Sequence, residues 1–154
     1  MRNIELFDAY AIHIFATLHD AFPLPRRIDP AALVKEVGIK AAKGEGEMHL
    51  ANVAQGTVNW LHATALFRDD PSDQRSASTY GYVLSPRAFE PLQLKLPDVL
   101  RKNSDKPEAT VGSKVKELGD GSGEGICHGG GQQAASGLLS FVINWVTGDR
   151  AAKA

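Results

Sequence analysis

The sequence predicts an α+β fold: a helical domain closed by a small β-hairpin and followed by a glycine-rich tail. Three observations carry this. The run at 49–70 (HLANVAQGTVNWLHATALFRDD) passes from helical to strand-like patterning. A polar tip (PSDQRSAS) then leads into a second strand-like run, TYGYVLS, and glycines crowd the chain beyond residue 103. Apolar groups spaced three and four apart fall on one side of a helix, whereas alternation places them on one side of a strand.

Taken in order, Phe7, Ala11, Ile14, Phe15, Leu18 and Phe22 form the apolar stripe of a helix over 5–21, which Pro23 and Pro25 stop. Residues 24–29 alternate, as suits a short edge strand where proline is tolerated. Asp29 can cap a second helix and Pro30 suits its first turn. Leu33, Val34 and Val37 are its inward side, and Gly38 ends it. A polar connector covers 38–47. The third helix turns Leu50, Val53, Thr57, Trp60, Leu61 and Thr64 inward, with Trp60 assigned to the core; Asn52, Gln55, Gly56, Asn59 and His62 point outward. Strands are predicted at 66–68 and 80–84. Ser85-Pro86 opens a last domain helix that buries Phe89 and Leu92. Pro91 lies inside it and shortens or kinks it, since an interior proline costs about 3 kcal/mol.

The composition divides the chain into a domain at 1–102, a flexible linker at 103–131 and an amphipathic helix within 132–154. Leu138, Phe141, Val142 and Trp145 give that helix an apolar side, which needs the domain, a partner or a membrane surface to cover it. Tyr10 and Ile12 lie off the main stripe of the first helix, so apolar surface is expected there for such a contact, and a homo-oligomer with it.

Several function classes are disfavoured. The 154 residues carry a net charge of −1, and residues 1–102 hold twelve basic against twelve acidic side chains. Non-specific nucleic-acid affinity depends on Lys and Arg neutralising phosphates, so any such role must rest on local patches. Cys127 is the single cysteine, which fits a reducing, cytoplasmic setting and excludes an intramolecular disulfide. Glu5, Asp8 and His13 interrupt what would be a secretory leader. The five histidines lack ligand spacing, so neither metal nor cofactor is expected. Cys127-His128 sits among glycines that fix no catalytic base, and the glycines at 119–131 lack the lysine of a phosphate loop. The chain is therefore read as a non-enzymatic binding protein.

Thr57-Val58-Asn59-Trp60-Leu61, leading into Ala65-Leu66-Phe67-Arg68 and then Tyr82-Val83-Leu84-Ser85-Pro86, resembles the winged helix-turn-helix superfamily of bacterial regulators over residues 5–90. The resemblance implies that the third helix lies in a DNA major groove through Asn52, Gln55, Asn59 and His62, with Arg68 and Arg75 as wing contacts. It also implies a transcriptional regulator, commonly dimeric. The third helix carries no Lys or Arg between 49 and 63, however, and Asp69, Asp70 and Asp73 crowd the wing. That charge pattern favours a protein partner over duplex DNA. The competing expectation is a membrane-surface or multiprotein assembly component whose C-terminal helix is the working part.

Overall fold

Helix α1 (Arg2–Ala21) is the axis of the molecule, and every larger element packs against it or against its neighbours. The computed structural model describes residues 2–69, 81–94, 110–120 and 131–147. From Ala9 to Ile12 every side chain of α1 is buried, and Ile14, Phe15, Ala16 and Leu18 extend the buried surface. A helix apolar on all sides is one surrounded by other elements. Asp8, immediately before this stretch, is only 6 % exposed. Burial, and secondarily the charge of Glu5, pushes its pKa up from 3.8 to about 6.

After α1 come β1 (Arg26–Arg27), α2 (Pro30–Val37), α3 (Glu47–Ala63), β2 (Phe67–Asp69), β3 (Gly81–Leu84) and α4 (Pro86–Leu92). The local punctuation works as its chemistry suggests. The Asp29 side chain accepts from the Ala31 amide at 3.3 Å, and Gly38 takes the left-handed conformation (φ 72°) that ends α2. The Ser85 hydroxyl accepts from the Ala88 amide at 3.2 Å and donates to the Leu66 carbonyl at 3.1 Å. One side chain thus caps α4 and pins it to the turn between α3 and β2. With Pro91 inside it, α4 spans only seven residues.

The sheet is antiparallel with order β1-β3-β2. Arg26 pairs with Tyr82 and Arg27 with Gly81 on one side of β3; Phe67, Arg68 and Asp69 pair with Leu84, Val83 and Tyr82 on the other. Phe67 and Leu84 are the strand residues fully committed to the core. The strand expected at 66–68 begins one residue later, at Phe67; of the one expected at 80–84 the described residues 81–84 form β3, and the edge strand is confined to two arginines.

The carboxy-terminal region departs most from expectation. Within the presumed linker lies helix α5 (Val111–Asp120), and it makes the most extensive helix contact with α1. Val111 and Val115 are fully buried. Gly112 and Gly119, two turns apart, are not flexible points. A Cβ on Gly112 would come within 2.8 Å of the His19 ring and the Leu92 carbonyl, and one on Gly119 within 2.5 Å of the Ala16 Cβ. These glycines let two helices approach closely, a tertiary role that composition alone reads as a break.

Helix α6 (Gly131–Thr147) matches the predicted amphipathic helix and closes over α1 and α4. Ala135, Leu138, Leu139 and Val142 enter the same core as α1. The division at 102 and 131 therefore does not mark where packing stops. Residues 103–109, 121–130 and 148–154 lie outside the described residues, as do Cys127 and His128.

Candidate functional site

Helix α3 positions the surface that the sequence singles out. Leu50, Ala54, Thr57, Val58 and Leu61 face the core. They recur every three or four residues, so the opposite side is left to solvent. Its carboxy-terminal end is closed by paired backbone bonds, from the Leu66 amide to the Leu61 carbonyl (3.1 Å) and from the Ala65 amide to the His62 carbonyl (3.0 Å). Ala65 sits there at φ 57°, a position glycine usually fills at no steric cost. This turn delivers the chain directly into β2.

Asn52, Gln55, Asn59 and His62 all lie exposed on the outer side of α3. Two of the amides are already engaged: Gln55 Nε2 donates to Asn59 Oδ1 at 2.9 Å. His62 Nε2 lies 3.3 Å from Asp69 Oδ2, and its ring stands 5.9 Å from both Phe67 and Tyr82. The imidazole thereby joins α3 to the hairpin base. Arg68 is exposed on β2, opposite Val83. Arg75 lies outside the described residues. Arg26 and Arg27 occupy the far edge of the sheet, with β3 between them and Arg68.

Trp60 is not a core residue. It is 41 % exposed, on the flank of α3, and meets Phe7 edge to face with ring centroids 5.3 Å apart. The reason is rotational: the buried stripe centres on Ala54 and Leu61, which carries Trp60 to the margin. Met48 at 73 % and Ile4 at 65 % are further exposed apolar groups on α3 and on the start of α1. Neither was singled out in the sequence; Met48 lies one turn before Asn52 on the outward side, which is the signal that could have found it. The described surface of α3 thus carries exposed apolar groups and amides, with no lysine or arginine between 47 and 63.

The second expected site has a different fate. Tyr10 and Ile12 are fully buried, and so are Leu138 and Val142. Phe141 is partly buried and lies 6.1 Å from Trp145, itself half-buried. The apolar surface expected on α1 is covered by the chain itself. Helix α5 passes over Ile12, His13 and Ala16, and α6 docks on α1 and α4. These six residues come together as core and margin of one body, not as an open docking face.

A polar groove runs along the other side of α1, between β1, α2 and α5. His13 Nε2 is 3.1 Å from Glu36 Oε2, and its Nδ1 is 3.4 Å from the Gly119 carbonyl. Lys116 donates to Asp20 at 2.8 Å, and this bond holds the Asp20 carboxyl below its usual range. These two ion pairs tie α2 and α5 to α1. Among the described residues no three His, Cys, Asp or Glu side chains group as metal ligands, and no helix is long and apolar enough to cross a membrane. No family model, no curated protein and no solved structure matches this chain.

Proposed function

We propose that this chain is a recognition module of winged-helix design that docks a protein partner through the outer side of α3, acting by binding and not by catalysis. The order of elements and the β1-β3-β2 sheet support the architecture. The observation that carries the function is Trp60, 41 % exposed on a helix without a lysine or arginine. An aromatic group at the surface offers a large, rigid contact area, and such residues dominate protein interfaces. A DNA-reading helix works beside phosphates, which demand positive charge that α3 lacks. The amides of Asn52, Gln55 and Asn59 are suited to hydrogen bonding at the rim of a protein contact.

The test places a photo-crosslinking amino acid at Asn59 in living cells and titrates the purified chain with random duplex DNA. The expected result is a discrete protein adduct that Trp60→Ala removes, with no duplex retention at low salt. Steeply salt-dependent duplex binding, lost on Arg68→Ala, would replace this reading with the DNA-binding one.

A further inference from the structure

Beside the α3 surface, between the end of α2 and the start of α3, lies an open groove of about 600 Å³. Its floor is apolar: Val34 and Ile39 come from α2 and the connector, and Leu50 comes from α3. Met48 forms the lip, 73 % exposed. An unbranched thioether there can reshape itself around an incoming side chain. Lys35 and Lys40 stand on the rim, against Glu47 as the one carboxylate lining the groove. Lys35 has no ion-pair partner among the described residues.

The electrostatics of the backbone act in the same direction. Helix α3 begins at Glu47, and its N-cap Gly46 makes no side-chain cap bond, so the positive end of a seventeen-residue helix lies at the groove mouth with Glu47 as the acid of its first turn. An apolar floor with a positive rim is complementary to an apolar anchor flanked by negative charge.

We propose that this groove receives an acidic amphipathic segment of a partner protein. The segment's apolar side chains would seat on Val34, Ile39 and Leu50, while its carboxylates reach Lys35 and Lys40. The assignment rests on the protein-recognition reading above and deepens it. Met48 belongs both to the groove and to the outer side of α3, so the two form one continuous surface. An apolar floor between two helices is the kind of site into which an amphipathic helix lays its apolar side.

The probe is a pair of synthetic amphipathic peptides with leucines on one side, flanked in one by glutamates and in the other by lysines. Each is titrated into the isotope-labelled full chain and followed by amide NMR shifts. The glutamate peptide is expected to bind about tenfold more tightly and to shift amides at 34–40 and 48–51. In Lys35→Glu/Lys40→Glu, two exposed changes that leave the core intact, the preference is expected to reverse. Equal binding of the two peptides, or no binding by either, overturns the groove assignment. Shifts gathered around Asn59 and Trp60 alone overturn it too, while leaving the recognition surface of α3 standing. Loss of the Asn59 crosslink would instead remove the reading beneath it.

Discussion

Helices α3 and α5 both lie against α1, yet they meet it by opposite means. Helix α5 comes in on glycine, so closely that a methyl group at Gly112 or Gly119 would strike His19, Leu92 or Ala16. Helix α3 comes in on larger side chains, burying Leu50, Ala54, Val58 and Leu61, and leaves Met48, Asn52, Asn59 and Trp60 outside. One helix seals and the other presents. The difference shows that a glycine-rich, weakly apolar stretch can be structural, whereas the more regular amphipathic helix holds the surface free for recognition.

The largest expected effect tests the sealing side. Leu138 is fully buried where α6 closes over the core. Leu138→Ala should lower the unfolding free energy by about 2–5 kcal/mol, read by urea denaturation. A loss near zero would mean that α6 is an appendage and does not seal the core.

A second test reaches the axis that both helices share. Asp8 has a folded pKa of about 6, above its ordinary 3.8, so its protonated form is the one the fold favours. Its contribution is fully present below about pH 4, is lost as pH rises through about 6, and is level above that. Asp8→Asn should therefore stabilise the chain by up to about 3 kcal/mol at pH 8 and change little near pH 4. Thermal melts at the two pH values check this; equal effects at both would show that the carboxyl is well solvated and α1 less tightly enclosed.

The parts of the fold legible in the sequence are those set by local chemistry. Asp29-Pro30, Gly38 and Ser85-Pro86 act within a turn of themselves, and each marks the boundary it promised. The outward side of α3 was legible because period alone places Asn52, Gln55, Asn59 and His62 together. Trp60 falls among the inward residues when the stripe is drawn through Val53 and Thr57, but the buried stripe centres on Ala54 and Leu61, and that angle puts Trp60 at the edge. Helix α5 was missed because Gly112 and Gly119 have low helix propensity and make sense only against Ala16 and His19, about a hundred residues earlier in sequence. For the same reason Tyr10 and Ile12 looked available when α5 and α6 in fact enclose α1.

The division between the two helices is tested most directly by making one substitution in both. Gly56 lies on the outer side of α3 with nothing within 4 Å of an added Cβ, while Gly119 of α5 would meet Ala16 at 2.5 Å. Gly56→Ala should raise the unfolding free energy by about 1 kcal/mol through helix propensity, and Gly119→Ala should lower it by about 1–3 kcal/mol through overpacking. Opposite signs in paired urea melts are the expected result; equal signs would contradict a sealed α5 and an open α3.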